Sequence, residues 1–298
     1  MRQLLIVADD YGVGLPTSRG ILDLAHAGVL SAALVQVNSP HASAALALWR
    51  QQGEPLELGW HPCLTLDRPV LAPQAVPSLV GSDGRFHRLR GLLWRWLGGR
   101  LRGSEIRAEL AAQLVRFQSL VGHAPRVVAA HHHMQVFPPI GPILLDVLAR
   151  IRPRPYVRRV LEPRRQLMGL AGGRPKRVLL NFMGQRFATV QRRRGFPGNT
   201  VLAGVTDPHC VAEPNFFLRC LAKTREQEVE LMCHPGYEDP SLLGRDDDGG
   251  PMDRLRRVYE LQALRHPSFR EGIARLGFEI VPPTAWREGA DVRPRRVA

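Results

Sequence analysis

The stretch Leu4-Leu5-Ile6-Val7-Ala8-Asp9-Asp10-Tyr11-Gly12 decides how the rest of the chain is read. Five consecutive apolar residues closed by two carboxylates show no polar alternation, which is the pattern of a strand buried on both faces. A Gly-containing loop from Tyr11 to Gly14 follows, and Thr17 to Gly28 reads as a helix with Ile21, Leu22, Leu24 and Ala25 along one stripe. Ala32 to Val37 reads as a second strand, Ala42 to Gln51 as a helix and Leu56 to Trp60 as a third strand. Strand and helix alternating at this rhythm imply a parallel sheet with helical crossovers.

Residues 66–87 are interrupted by Pro69, Pro73, Pro77, Gly81 and Gly84 and read as an insertion, which runs on to about 122 through a helical, Arg-, Leu- and Trp-rich region from Arg88 to Val121. Further strands are expected at Val127–Ala130, Tyr156–Arg159, Val178–Phe182, Val201–Gly204, Val229–Cys233 and Phe278–Val281, with a helix from Pro138 to Arg150. Nine strands approach a barrel count. The expected fold is α/β, a (β/α) barrel-like, TIM-like single domain over residues 1–283, with 284–298 as a charged, aperiodic and frayed tail.

At 298 residues, 44% hydrophobic and 23% charged, the chain has a globular composition that excludes disorder, collagen and coiled coil. Cys63, Cys210, Cys220 and Cys233 form no Cys-x-x-Cys pair, which argues against a zinc ribbon or a thioredoxin-like motif. Leu4–Ala8 is too short for a signal peptide and no apolar run approaches the roughly 20 residues of a transmembrane helix, so a cytoplasmic location is expected. The net charge is +14, and Lys176 and Lys223 are the only lysines among 41 basic residues. The surplus reads as spread along the chain rather than gathered in one block. With no recognisable nucleic-acid motif, no nucleic-acid partner is expected.

Four polar features fall directly after expected strands: Asp9-Asp10, His61, His131-His132-His133 and His234. Each alone has a structural explanation. Asp is a favoured helix cap, consecutive histidines can be a solvated loop, and one histidine can sit satisfied in a core. Together they point elsewhere, because in parallel α/β folds the carboxyl ends of the strands converge on the active site. A carboxylate with two imidazoles suits a catalytic divalent metal that keeps a position open for water.

These residues carry a family resemblance. Leu5 to Gly12, Leu58-Gly59-Trp60-His61-Pro62-Cys63-Leu64-Thr65, Val76 to Val80 with Asp83-Gly84-Arg85-Phe86, His131 to Pro139, and Met232-Cys233-His234-Pro235-Gly236-Tyr237 resemble the YdjC-like carbohydrate deacetylases. That family includes chitooligosaccharide deacetylases and hopanoid-biosynthesis-associated deacetylases. The resemblance implies a barrel-like fold and metal-dependent removal of acetate from an N-acetylated sugar or glycolipid. It implies Asp10, His61 and His131 as ligands of one divalent ion, Mg or Zn, Asp9 as general base and His234 as catalytic acid. His133, Tyr11, Asn38 and Arg158 are further candidates for metal or substrate contact. The pattern departs from the family at Ala129, where many relatives carry a polar residue, at His132 in a spacer position, and at Gln135 in place of a later histidine. A degenerate, inactive member and a metal-dependent phosphoesterase are the rival readings.

Arg88 to Arg102 combines arginine with Trp94 and Trp96 as interfacial helices do, and implies peripheral contact with an anionic membrane at its inner face. Packing of its Leu/Trp face on the barrel, with the arginines solvated, is the reading slightly preferred for this helix, because any outer barrel helix needs an apolar stripe. A homodimer is the remaining partner expectation.

Overall fold

Residues Leu4 to Tyr11 are all buried, so the apolar run becomes the central strand β1 (Arg2–Tyr11). The computed structural model describes residues 1–213, 215–243, 245 and 251–288. After β1 come α1 (Leu15–His26), β2 (Ala32–Val35), α2 (Ala42–Gln51), β3 (Glu57–Trp60), α3 (Leu89–Leu97), α4 (Gly103–Val121), β4 (Val127–Val128) and α5 (Ile140–Leu148). They are followed by β5 (Tyr156–Val157), α6 (Arg164–Gly169), α7 (Arg174–Arg193), β6 (Val201–Ala203), α8 (Phe216–Ala222) and β7 (Glu228–Cys233). The last elements are α9 (Pro251–Arg265), α10 (Pro267–Arg275), β8 (Phe278–Ile280) and α11 (Ala285–Glu288). No helix among the described residues is long and apolar enough to cross a membrane.

Every strand pairing is parallel, in the order β5-β4-β3-β2-β1-β7-β6. β7 takes one edge of β1, from Gln3↔Glu228 to Ala8↔Cys233. The other edge is shared, with β8 on Arg2–Leu4 and β2 from Val7 onward. β5 and β7 lie five strand spacings apart in this order, which in a flat sheet would separate them by about 24 Å. Yet the Tyr156 hydroxyl of β5 donates to the Glu230 carboxylate of β7. The sheet is therefore curled into the expected barrel-like form. Leu202 N donates to Leu161 O (2.8 Å) across the gap between β5 and β6.

Strand alternation divides β1 between two cores. Leu4, Ile6 and Ala8 face the surrounding helices, while Leu5 and Val7 face inward with Leu34, Val127, Ala129 and Tyr156. Trp286 completes that inner cluster, its ring 5.8 Å from that of Tyr156. Here the expected frayed tail is corrected at its start: Ala285–Glu288 form a helical turn, and Trp286 is buried in the inner cluster. The remaining tail, 289–298, lies outside the described residues.

A second correction concerns Val178–Phe182, expected as a strand and found in the middle of α7. Four apolar residues interrupted by Asn181 are too short a stretch for period alone to separate strand from helix. The deciding pattern is longer: Arg177, Leu180, Gly184, Phe187, Ala188 and Gln191 are buried at three- and four-residue spacing. Gly173, at φ 56°, and Pro175 begin the helix. The described residues thus hold eight strands rather than nine.

The insertion is anchored by one face of α4. Ser78 N donates to Glu105 (2.7 Å), Val70 N and Leu71 N to Glu109 (2.9 and 3.1 Å), and Cys63 and Gln113 exchange two hydrogen bonds (3.0 and 2.7 Å). Glu105, Glu109 and Gln113 recur every four residues, so one side of a helix fixes the loop that follows β3.

Gly59, inside β3, has no room for a side chain: a Cβ there would lie 2.5 Å from Val127 O and from a Leu34 methyl. Gly59→Ala should lower stability by about 1–3 kcal/mol through overpacking. Urea unfolding checks this, and an unchanged midpoint would contradict the close approach of β3 to β4.

Candidate active site

Adjacent residues of a regular strand point to opposite faces, so Asp9 and Asp10 ought to be separated by the sheet. β1 avoids this by breaking its own regularity. Its register with β2 shifts between Ala8 and Tyr11, and Asp10 takes a left-handed conformation at φ 66°. Both carboxylates then line one cleft of about 480 Å³ at the carboxyl ends of the strands. Asp is among the few residues that tolerate this backbone region at modest cost. His132 and His133 repeat the device at φ 53° and 55°, folding the histidine run after β4 into a tight turn.

Asp10, His61 and His131 are buried and bring their ligand atoms within 4.8 Å of one another. Asp10 Oδ1 lies 3.3 Å from His61 Nε2 and 3.1 Å from His131 Nδ1. The other nitrogen of His61, Nδ1, is 2.5 Å from Ala129 O, which assigns it the proton and leaves Nε2 a lone pair facing Asp10. Gln36 Nε2 donates to Asp10 Oδ1 (2.9 Å) and lies 3.0 Å from His131 Nδ1, while Arg257 donates to Asp10 Oδ2 (2.8 Å). Burial works to raise the Asp10 carboxyl, but Arg257 and His131 hold it well below the usual carboxylate range.

Asp9 belongs to a different set of contacts. Arg158 grips it with two hydrogen bonds of 2.6 and 2.7 Å, and turns its Nε to Glu230 (2.6 Å). Burial would raise Asp9, yet the charge of Arg158, helped by His61 and His234, holds it at about 2. Glu230 moves the other way, raised by burial. His234 follows β7, with Nε2 3.9 Å from Asp9 Oδ2 and Nδ1 3.2 Å from Arg256 Nη2. Its backbone N–H donates to Glu260 of α9. The arrangement can hold a cation beside an ionised carboxylate, with the His234 imidazole 3.9 Å from that carboxylate.

Asp9, Asp10, His61, His131, His132, His133 and His234 all line the cleft, with apolar walls from Phe137, Leu89 and Leu93 of α3 and Leu179 and Leu180 of α7. His133 is buried, and burial together with Arg158 pushes its imidazole well below the usual histidine range, so it is neutral near pH 7. Tyr11 ties β1 to α2 through a hydrogen bond to Ala45 O (2.7 Å), and Asn38 donates to Leu66 O (2.8 Å); neither lines the cleft. Arg158 acts on Asp9 from below. Gln135 is a bracket, accepting from Ala130 N (3.2 Å) and donating to Arg158 O (3.4 Å). Trp94 is 73% exposed, whereas Trp96 stacks edge-on against Phe137 and donates to Pro138 O.

Sequence reasoning missed Gln36, Glu230, Arg256, Arg257 and Glu260. Two of these carried a signal: Gln36 and Glu230 are single polar residues inside apolar strand runs, where an unpaired polar group would be costly. The α9 residues carried none, because an Arg-Arg pair and a Glu on a charged helix read as a solvated face.

A family model described as YdjC-like protein matches residues 3–275. The chain is 31% identical over 283 residues to a chitooligosaccharide deacetylase of Serratia marcescens, covering 93% of this chain and 97% of that one. It is also 31% identical to a chitooligosaccharide deacetylase of Yersinia pestis strain Pestoides F, covering 94% and 98%. A crystal structure from Enterococcus faecalis, of a protein named for cellobiose-phosphate cleavage, shares the fold with a TM-score of 0.73 at 20% identity, over 95% of this chain and 98% of that one.

Glu260 gives the site a measurable pH signature. Burial would raise its carboxyl, but Arg256 and His234 hold it at about 2. A carboxyl depressed in the folded state contributes stability that is complete above its unfolded pKa and lost as pH falls toward 2. The stability difference between wild type and Glu260→Gln should therefore narrow by on the order of 3 kcal/mol between about pH 5 and pH 2. Parallel denaturation curves across that window would contradict the assignment.

Proposed function

This chain belongs to the YdjC-like protein family, and on that premise we propose that it is a metal-dependent hydrolase that removes the N-acetyl group of an amino sugar and releases acetate. The observation that carries the reading is the buried Asp10, His61 and His131 group sharing one cleft with Asp9 and His234. The donor set suits a divalent ion, Mg or Zn. One carboxylate oxygen faces both imidazoles, the His61 tautomer exposes a lone pair, and Gln36 and Arg257 orient the carboxylate from outside. When bound, such an ion acidifies water and polarises the acetyl carbonyl.

The chain's own groups supply the remaining steps. Asp9 accepts the proton of the attacking water; Arg158 keeps it ionised and fixes its plane, at some cost in basicity. His234, as its imidazolium, protonates the departing amine; the Glu260 carboxylate lies 3.8 Å from its Nδ1 and accepts from its backbone N–H, whereas the donor-only Arg256 beside Nδ1 matches the neutral ring left after proton transfer. His133 Nδ1 and Thr206 Oγ1 are buried without a hydrogen-bond partner in residues that line the cleft, and would bind polar groups of the sugar. The names of the relatives favour a chitooligosaccharide. The apolar walls from α3 and α7 favour, as a second reading, an N-acetylglucosaminyl lipid such as a hopanoid.

Asp9→Asn should cut acetate release by about two to four orders of magnitude while bound metal stays at the wild-type level. Asp10→Asn should lose the metal itself. Elemental analysis beside an acetate assay checks both, and equal metal content in the two variants would sink this division of roles. Acetate release from N-acetylglucosamine oligomers and from N-acetylglucosaminyl lipids, with Zn, Mg or Co added, identifies the substrate; silence on all of them would reject the deacetylase reading.

A further inference from the structure

The charge surplus is not spread. Residues 84–104 carry six arginines and no carboxylate, and residues 163–206 carry eight arginines, one lysine and no carboxylate. These fifteen cations exceed the net charge of +14, so the rest of the chain sums to −1. The two segments are far apart in sequence, but they contain α3 and α7, which both wall the cleft through Leu89, Leu93, Leu179 and Leu180.

The same helices carry the exposed apolar surface. Six of the ten large apolar side chains exposed among the described residues lie on α3, α6 and α7: Trp94, Leu97, Met168, Val178, Leu179 and Phe182. α3 contains four leucines and two tryptophans, yet buries only Leu92 fully. Leu89, Leu93 and Trp96 are partly buried against the core, so packing on the barrel leaves Trp94 and Leu97 unaccounted for. On α7, Val178, Leu179 and Phe182 fall within one turn and are each more than half exposed, while Leu180 between them is buried, so three residues of the run that mimicked a strand form a solvent-facing apolar ridge. Cations border the ridge: Arg174 and Lys176 lie one turn before it, and Arg186 stacks over the Phe182 ring (4.4 Å). Not all fifteen charges serve here: Arg177 is buried on Glu162, and Arg85, Arg102 and Arg194 pair with Asp67, Glu105 and Asp146.

We propose that the α3 and α7 ridges form one docking surface for an anionic lipid bilayer, with the cleft mouth turned to the headgroup layer. Apolar side chains enter the acyl boundary while the arginines meet lipid phosphates, and neither ridge has a carboxylate nearby in sequence to oppose them. Docking does not depend on the reaction at the cleft floor, so vesicle binding and acetate release can fail separately.

The test is co-sedimentation of the full chain with phosphatidylcholine vesicles, with and without phosphatidylserine, at low and high salt. Binding is expected only to the anionic vesicles and should weaken with salt. Trp94→Ser with Leu97→Ser, and separately Val178→Ser with Phe182→Ser, should each weaken it by about tenfold or more. Thermal melting confirms that these surface variants fold. No binding by wild type at low salt overturns the proposal. So does undiminished binding by either double variant, which would leave a purely electrostatic contact. A wild-type dimer that both variants convert to monomer, without vesicle binding, would assign the surface to a second copy instead.

Discussion

Arg158 holds the interior of this barrel together. It is fully buried, and its guanidinium spans Asp9 of β1 and Glu230 of β7 from a position just after β5. Below it, Tyr156 closes on Glu230, and below Tyr156 the indole of Trp286 joins the apolar base. Above it, Asp9 faces His234. A single column thus runs from an apolar base to a charged mouth. Isolated charges in such a place would be prohibitive, and this one is tolerated because one cation answers two carboxylates in good geometry. The same contacts that satisfy it draw β5 across to β7 and curl the sheet.

That column explains why the two adjacent aspartates do different things. Asp9 keeps the inward direction that strand alternation assigns it and is claimed by Arg158. Asp10 should point outward to the helices, and is brought back only by its left-handed backbone, where it meets His61, His131, Gln36 and Arg257. One carboxylate is gripped by a guanidinium and the other is shared between two imidazoles. The backbone irregularity between them is what allows adjacent residues to serve one cleft. The histidine turn after β4 follows the same logic, using two left-handed residues to direct three consecutive imidazoles.

Much of this was legible in one dimension. Apolar runs located most of the strands, and the polar residues that close them marked the cleft, because a parallel sheet brings its carboxyl ends together whatever the loop lengths. The misreadings have definite causes. Val178–Phe182 resembled a strand because four apolar residues around Asn181 carry too little periodicity, and three of them, Val178, Leu179 and Phe182, lie on an exposed helix face, which violates the assumption that apolar means buried. Trp286 was assigned to a frayed tail because its partners, Tyr156 and the inner faces of β1 and β4, are remote in sequence. The charge looked dispersed for the same reason: two carboxylate-free segments some sixty residues apart share one end of the molecule.

The amino-acid sequence by itself determined the strand-helix alternation, the parallel barrel-like class, and the identity of Asp9, Asp10, His61, His131 and His234 as residues at strand ends, since these depend on local pattern and on connectivity. Tertiary structure alone decided which of them touch. It made Arg158 the clamp of Asp9, brought Gln36 to the Asp10 carboxylate from just after β2 and Arg257 from α9, and set two basic apolar helices beside the same opening. Those outcomes depend on distances across the curled sheet and on three left-handed residues. A linear pattern encodes neither, because both arise from how the folded backbone closes on itself.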